Sequence, residues 1–154
     1  NFSILENITL YNFGLGSSNS TLDMYISDND GQSSSFLKPK EHLKEHPGIK
    51  FYEKTEIYNI KVLDDLGLSK IDFLNIDTQG FELEVLKGSE ASLKVDVNYI
   101  ITEVNKMELY EGCPTVKDID NFLKKFGFIR TDTHYWMDKA SWGDAFYIKK
   151  NLVK

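Results

Sequence analysis

The stretch that decides the fold is IDFLNIDTQGFELEVLKG, residues 71–88. It begins with Ile71–Ile76, a short apolar run bounded by Asp77 and Gly80, which is typical of a strand buried on both faces of a parallel sheet. Phe81–Lys87 follows with two glutamates in its first turn, where carboxylates favour the positive end of a helix dipole, and Gly88 stands where that helix should end. The stretch therefore predicts a strand, a tight turn and a helix.

The flanking sequence predicts further strands and helices in alternation. Val97–Val104 is a second apolar strand, and Val116–Phe126 has apolar residues at helical spacing behind a capping pair, Thr115 and Asp118. The remaining predicted strands are Ile8–Phe13, Thr21–Ser27, two pieces within Lys50–Val62, Phe128–Arg130 and Ala145–Lys149, with an aromatic loop at Thr131–Asp144. Alternating strands and helices imply one α/β domain over residues 1–154, with a mostly parallel sheet covered on both faces.

The composition restricts the classes of partner. The formal net charge is −6 and the 18 Lys and Arg residues are scattered, so the electrostatic footprint of a nucleic-acid-binding protein is absent. No apolar stretch approaches the roughly 20 residues of a membrane span, and no signal-peptide pattern is present. The single cysteine, Cys113, is compatible with a reducing compartment. We expect a cytoplasmic protein that binds neither nucleic acid nor membranes.

The 71–88 stretch resembles the signature of the FkbM family of S-adenosylmethionine (SAM) dependent methyltransferases. In that family an aspartate ends the fourth strand, a glycine turns the chain and a glutamate opens the next helix, and Asp77, Gly80 and Glu82 occupy these positions here. The resemblance continues in order from Leu10–Gly16 to the closing segment Asp144–Lys150. It implies a Rossmann-like class I methyltransferase sheet of strand order 3-2-1-4-5-7-6, with strand seven antiparallel.

The resemblance also implies a reaction and a cofactor site. The expected reaction is methyl transfer from SAM to a hydroxyl of a sugar or other small natural product, with Leu15, Gly16, Thr78 and Gln79 near the adenine end of SAM. The family's glycine-rich turn after strand one has no counterpart in this sequence. We therefore expect an N-terminally truncated domain that is impaired in SAM binding or inactive, with an exposed sheet edge that favours a homo-oligomer.

Polar residues at the predicted strand ends are the candidate catalytic groups, because ligands bind beyond the carboxyl ends of strands in open α/β sheets. Asp77 is the candidate that makes an acceptor hydroxyl a better nucleophile. If Asp77 and Glu103 end neighbouring strands, their oxygens and Asn105 converge on a divalent cation such as Mg²⁺. The alternative is that these acidic residues only cap helices or bind loop amides, and Glu82 is expected to stabilise its own helix terminus.

His134 is a second candidate for the catalytic base, because its unperturbed pKa lies near 6.5 and it falls in the predicted aromatic loop. In the alternative interpretation the aromatic residues of this loop pack on the sheet and His134 is solvated. The other two histidines, His42 and His46, lie in a charged stretch and are predicted to be surface residues.

Two other functions fit parts of the sequence. The run Asp77-Thr-Gln-Gly80 matches the D-x-x-G pattern of GTPases, but the 76 residues before it contain no phosphate-binding G-x-x-x-x-G-K-[ST] loop. A non-catalytic Rossmann-like interaction module, or an incomplete gene product, is also consistent with a sheet that lacks its glycine-rich turn. SAM binding distinguishes these from a methyltransferase.

Overall fold

The structure, a computed structural model, describes residues 7–68, 70–136 and 140–153. Within these residues the chain forms seven strands and four α-helices. The strands are β1 (Gly14–Leu15), β2 (Ser20–Met24), β3 (Glu56–Lys61), β4 (Phe73–Ile76), β5 (Tyr99–Asn105), β6 (Phe128–Tyr135) and β7 (Trp142–Lys149). The helices are α1 (His42–Glu45), α2 (Glu82–Lys87), α3 (Glu90–Val95) and α4 (Val116–Lys124), and 3₁₀ turns lie at Leu63–Leu66 and Lys150–Leu152. None of the described helices is long and apolar enough to cross a membrane.

The larger sheet has four strands in the order β4-β5-β7-β6, which agrees with the order that the family resemblance implies for this part of the sheet. β4 and β5 are parallel, whereas β7 is antiparallel to both β5 and β6. The prediction of a mostly parallel sheet is therefore wrong, and the sheet is mixed. Because the antiparallel β7 inserts between β5 and β6, two of the three pairings in this sheet become antiparallel.

A second sheet of three strands has the order β1-β3-β2, with β3 parallel to β1 and antiparallel to β2. The predicted strand Ile8–Phe13 is wrong, because residues 8–13 are irregular and pairing starts only at Gly14. Ile8 and Leu10 are exposed in the structure. β-forming side chains stabilise a strand only when a neighbouring strand and a buried face are available, and this segment finds neither among the described residues.

One face of the four-stranded sheet carries the hydrophobic core. Ile100 and Val104 of β5 point into it and pack against α2, α3 and α4. The predicted helix N-terminus is confirmed, because Thr115 and Asp118 form a capping box at the start of α4. On the opposite face Phe73 is 48% exposed, so among the described residues that face is not fully covered. The expectation of a sheet covered on both faces is corrected accordingly.

The last two strands are longer than the sequence predicts. β6 continues to Tyr135 and β7 begins at Trp142, so most of the predicted aromatic loop Thr131–Asp144 is strand. Residues 137–139 of that segment lie outside the described residues. The extension arises because His134 pairs with Asp144, and Tyr135 with Gly143, in a continuous antiparallel ladder, which satisfies backbone groups that a loop would leave to water.

Candidate active site at the carboxyl edge of the sheet

The turn between β4 and α2 is held from inside by Glu82. Its Oε1 accepts hydrogen bonds from the backbone N–H groups of Thr78 and Gly80, at 3.0 and 2.9 Å, and from the Thr78 hydroxyl at 3.1 Å. Burial raises the pKa of Glu82, and the backbone donors act against that rise. As expected from the sequence, this carboxylate stabilises the start of its own helix. It also fixes the shape of the turn before that helix.

Two residues of this turn adopt left-handed backbone angles. Gly80 has a φ of +96°, and a side chain there would collide with Cys113 and Tyr110. Gln79 has a φ of +51°, which is uncommon for a residue with a side chain. Its carbonyl oxygen accepts a hydrogen bond from the Ser35 hydroxyl at 2.7 Å. Strain of this kind is concentrated at functional sites, so the turn is a candidate for one.

The structure brings Asp77 and Glu103 together through the side chain of Gln79. In the parallel pairing of β4 with β5, Ile76 lies opposite Thr102, so the next residue on each strand meets at the sheet edge. Nε2 of Gln79 donates to Asp77 Oδ1 at 2.9 Å and to Glu103 Oε2 at 2.7 Å. One amide group therefore joins the two candidate carboxyl groups.

The two carboxyl groups differ in environment. Asp77 is exposed, whereas Glu103 is 5% exposed. Burial, followed by the negative charges of Glu82, Asp77 and Asp144, raises the pKa of Glu103 to about 9. Glu103 is consequently protonated near neutral pH. Adjacent carboxyl groups in such different environments are a common basis for separate acid and base roles.

The row of polar residues continues across the sheet edge to β7 and β6. Glu103 pairs with Asp144, and Asp144 pairs with His134. The indole Nε1 of Trp136 donates to Asp144 at 3.1 Å. His134 is exposed, as in the alternative interpretation of the sequence, and lies two strands away from Glu103. Asp144 was not recognised as a site residue, although an acidic residue near the start of a strand was visible in the sequence.

A cavity of about 490 Å³ opens beside the two carboxyl groups, and we call it the polar cavity. Asp77, Gln79 and Glu103 line one side of it. The lining also includes Asn29, Gln32, Ser33, His42, His46 and Trp142. Its walls thus combine carboxyl, amide, hydroxyl and imidazole groups with one large aromatic surface, which suits a polar small molecule.

The sequence analysis placed His42 on the surface, and the structure shows it to be 3% exposed. Its ring lies 5.3 Å from that of Tyr110 and 5.6 Å from that of Phe51, measured between ring centroids. Burial, with a contribution from His46, lowers the pKa of His42 to about 4, so the imidazole is neutral at neutral pH. His42 begins α1 and His46 directly follows its end, so their spacing of four residues was the signal that could have indicated a shared environment.

A second cavity of about 420 Å³ lies on the other side of the β4–α2 turn, and we call it the aromatic cavity. Tyr11, Phe13, Phe36 and Tyr58 line it together with Thr78. It shares Gln32, Asp77 and Gln79 with the polar cavity. The two cavities therefore meet at the turn that carries the candidate catalytic residue.

Leu15 and Gly16, predicted to lie near a cofactor, occupy the interior beside this cavity. Leu15 packs against the core, and the Gly16 N–H donates to the Lys61 carbonyl at 3.0 Å. A side chain on Gly88 would collide with the Gly16 carbonyl oxygen. This close approach joins the small sheet to the end of α2. A role of Leu15 and Gly16 in cofactor binding stays a prediction.

The donor set does not favour the predicted magnesium site. Oxygens of Asp77 and Glu103 face the N–H groups of Gln79, and Glu103 is protonated. Asn105 is completely buried, and its amide has no hydrogen-bond partner in the described part of the chain. Among the described residues, no group of three or more His, Cys, Asp or Glu side chains is arranged to hold a metal ion.

Comparison with known proteins identifies the family. The profile described as the methyltransferase FkbM domain matches residues 1–130. The chain belongs to the FkbM methyltransferase family. It is also 28% identical over 138 residues to the 2-O-methyltransferase NoeI of Sinorhizobium fredii (strain NBRC 101917 / NGR234), covering 84% of this chain and 56% of that protein. The chain thus spans about half the length of this curated relative. No solved structure matches it significantly.

Proposed function

We propose that this chain carries the meeting point of a donor site and an acceptor site for SAM-dependent O-methyl transfer to a small polar molecule. The observation that carries the proposal is that the aromatic and polar cavities share Asp77 and Gln79. Methyl transfer requires the acceptor oxygen and the methyl group to approach in line. Two cavities that meet at one carboxylate provide that arrangement.

The aromatic cavity fits the adenosyl part of SAM. An adenine ring stacks favourably on aromatic side chains, and Tyr11, Phe13, Phe36 and Tyr58 offer such surfaces. The Thr78 hydroxyl is a polar group at the same wall, and its partner Glu82 keeps it in place. When bound, SAM would supply an electrophilic methyl group on its sulfonium sulfur.

The polar cavity takes the acceptor in this proposal, and Asp77 receives the proton of its hydroxyl. The exposed Asp77 carboxylate is the base, while protonated Glu103 lends a hydrogen-bond donor beside it. Transfer to oxygen is favoured because the relative that the chain resembles is a 2-O-methyltransferase. A sugar or another small natural product with several hydroxyls would match the amide, hydroxyl and imidazole groups of the cavity.

His134 has a weaker case as a base than Asp77. It is exposed and lies beyond Asp144 on β6, whereas Asp77 lines both cavities. In this proposal His134 stays at the rim of the site. A cytoplasmic location and assembly of two copies through a sheet edge stay predictions from the sequence.

Isothermal titration calorimetry with SAM tests the donor site, and transfer of a labelled methyl group from SAM to methyl glycosides of neutral hexoses tests the reaction. We expect Asp77→Asn to lower kcat about 10²- to 10⁴-fold, the range for loss of a general base, with SAM affinity retained. Asp72→Asn, an exposed change beside the opposite end of the same strand, serves as the matched control.

Absence of SAM binding at millimolar concentration, both by this chain and by a version with an added upstream strand-turn-helix segment, would contradict the donor site. A non-catalytic interaction module, the alternative from the sequence, would then be the better description. If SAM binds but Asp77→Asn transfers methyl groups as fast as the wild type, the assignment of Asp77 as the base is wrong. Equal losses in Asp77→Asn and Asp72→Asn would point to damage of the sheet rather than to catalysis.

A further inference from the structure

Tyr110 lines neither the polar cavity nor the aromatic cavity, but its hydroxyl contacts Gln79, which lines both. The side chain is completely buried. The hydroxyl oxygen lies 3.0 Å from the Ser33 carbonyl oxygen and 3.0 Å from Oε1 of Gln79. Both of these atoms can only accept, so the single phenolic proton is shared between them.

The Tyr110 hydroxyl is a permanent donor. Burial and the nearby negative charges of Glu103 and Glu82 raise the pKa of Tyr110, so the hydroxyl keeps its proton at any pH at which the protein functions. Its partner Oε1 is the acceptor end of the Gln79 amide. A fixed donor at the oxygen end of an amide determines which way the amide points.

The other end of the same amide binds both carboxyl groups of the cluster. Nε2 of Gln79 donates to Asp77 and Glu103, at 2.9 and 2.7 Å. If the amide turned over, its oxygen would face two carboxyl oxygens and its N–H groups would face the Tyr110 hydroxyl. The backbone of Gln79 is held separately, because its carbonyl oxygen accepts a hydrogen bond from the Ser35 hydroxyl and its φ is left-handed.

We propose that Tyr110 is a positioning residue, which fixes the Gln79 amide so that it donates to Asp77 and Glu103 at the same time. This inference rests on the proposed function, because the Gln79 amide is taken to orient Asp77 toward the acceptor. Tyr110 touches neither the acceptor nor the methyl donor in this account. It acts through Gln79 and holds the Asp77 carboxylate at the junction of the two cavities.

The direction of the effect follows from the groups around Glu103. The ionisable groups that face it are Asp77 at the end of β4, Glu82 on α2, Asp144 on β7 and Tyr110 from the loop after β5. Asp77, Glu82 and Asp144 raise the pKa of Glu103 through their negative charges, whereas Tyr110 keeps its proton. The hydrogen bond from Gln79 Nε2 favours the ionised form of Glu103. If the Gln79 amide is no longer held in place, this bond weakens and the pKa of Glu103 rises.

Carboxyl-detected NMR of ¹³C-labelled protein measures the Glu103 titration without SAM or an acceptor. We expect Tyr110→Phe to move the Glu103 midpoint upward by about 0.5 pH unit or more, because the amide is no longer fixed. Gln79→Asn should produce a similar upward shift, since asparagine tolerates the left-handed angles but is too short to bridge both carboxyl groups. This second variant leaves the buried tyrosine in place if Tyr110→Phe fails to fold.

Tyr147→Phe is the matched control. Tyr147 is equally buried, and its hydroxyl donates to Asp120 at 2.9 Å on the helix-covered face of the sheet. We expect this variant to lose a comparable hydrogen bond without moving the Glu103 midpoint. In the methyl-transfer assay we expect Tyr110→Phe to lower kcat about tenfold with KM unchanged, the pattern of an interaction that matters at the transition state.

The outcomes separate this inference from the proposed function. Shifts in Tyr110→Phe and Gln79→Asn, with none in Tyr147→Phe, support the positioning role even if the wild type transfers no methyl group, which would contradict the proposed function alone. A Glu103 midpoint in Tyr110→Phe that equals that of Tyr147→Phe overturns the inference. A shift in Gln79→Asn alone likewise overturns it, because the amide would then hold its position without Tyr110.

Discussion

Two buried glutamates, Glu82 and Glu103, lie near the β4–α2 turn and receive hydrogen bonds from different kinds of donor. Oε1 of Glu82 accepts from the backbone N–H groups of Thr78 and Gly80 and from one hydroxyl, whereas its Oε2 has no hydrogen-bond partner among the described residues. Glu103 instead receives its hydrogen bond from the side-chain amide of Gln79. Burial raises the pKa of both carboxyl groups. The first is bound mainly by backbone groups of the turn, and the second is bound by a side chain.

This difference separates a structural carboxyl from a functional one. Loss of Glu82 would leave backbone donors of a tight turn without a partner, and those donors cannot find new ones without unfolding the turn. Loss of Glu103 would release a side chain, and the strand that carries it would keep its ladder on both sides. We therefore expect changes at the two residues to have opposite effects on stability.

The largest effect should come from Glu82→Ala. Removing the carboxyl leaves two buried backbone donors unpaired beside Gly80 and opens a cavity, which we expect to lower the free energy of unfolding by about 3 kcal/mol or more. Glu82→Gln keeps one oxygen for the same donors and should recover most of that loss. Urea denaturation followed by circular dichroism measures both.

Glu84→Ala is the control for Glu82→Ala, since Glu84 lies on the same helix but pairs with Lys87 at the surface. We expect it to cost less than about 1 kcal/mol, as exposed ion pairs usually do. If Glu82→Ala were no more destabilising than Glu84→Ala, the distinction between the two buried glutamates would be lost.

Glu103→Gln should have the opposite sign. The pKa of Glu103 rises from 4.5 to about 9 on folding, so the folded state binds more protons than the unfolded chain between these values. Stability of the wild type therefore falls as pH rises from about 4.5 to 9. We expect Glu103→Gln to match the wild type near pH 5 and to exceed it by about 1 kcal/mol or more at pH 8.5.

Denaturation curves at both pH values test this, with Glu111→Gln, an exposed change in the loop after β5, as the control. A Glu103→Gln variant that is less stable than the wild type at pH 8.5 would show that the carboxyl is ionised and satisfied in the folded protein. The two glutamates would then belong to one class.

The local part of this corner was predictable from the sequence. A strand, a glycine turn and a helix opened by an acidic residue are all encoded within residues 71–88, because each depends on neighbours a few positions away. The adjacency of Asp77 and Glu103 was also predictable, since parallel strands bring their carboxyl ends to one edge.

The wrong prediction of a strand at Ile8–Phe13 shows the limit of such reasoning. Its alternating pattern is compatible with a strand, but pairing depends on partners that the local sequence does not specify.

The residues that surround the site from distant parts of the sequence were not predictable in the same way. Tyr110 reaches Gln79 across 31 positions of sequence, and His42 reaches the cavity from a short helix in an irregular segment. Neither residue stands out locally, because a buried tyrosine and a histidine in a charged stretch are common. Only the folded arrangement shows which acceptor the tyrosine hydroxyl meets and that burial keeps the imidazole neutral.

His42 is a third ionisable group at the polar cavity, and its effect on stability is expected at acidic pH. Burial lowers the pKa of His42 from 6.5 to about 4, so the unfolded chain binds more protons between these values. Wild-type stability therefore falls as pH drops from about 6.5 to 4. We expect His42→Phe, which keeps an aromatic ring beside Phe51, to remove about 1 kcal/mol of that acid-induced loss.

Thermal unfolding at pH 7 and at pH 4.5 measures the difference. His134→Phe changes an exposed histidine and should leave the acid-induced loss as it is in the wild type. An acid-induced loss that is undiminished in His42→Phe would mean that His42 gains its proton in the folded state. The polar cavity would then carry a positive charge at mildly acidic pH.

The smallest effect should come from Asp144→Asn, which probes how far the environment of Glu103 extends across the sheet. The negative charge of Asp144 contributes to the raised pKa of Glu103, and asparagine retains an oxygen for the Trp136 indole. We expect the Glu103 midpoint in carboxyl-detected NMR to fall by about 0.5 pH unit, with a change in stability below about 0.5 kcal/mol. Asp132→Asn, also on the β6–β7 hairpin but opposite Phe146, should leave the midpoint unchanged.

Because Glu82 is held by backbone donors, its turn should give identical amide signals in both variants. A disturbance of the Thr78 or Gly80 amides by Asp144→Asn would instead show that the two glutamates respond as one unit.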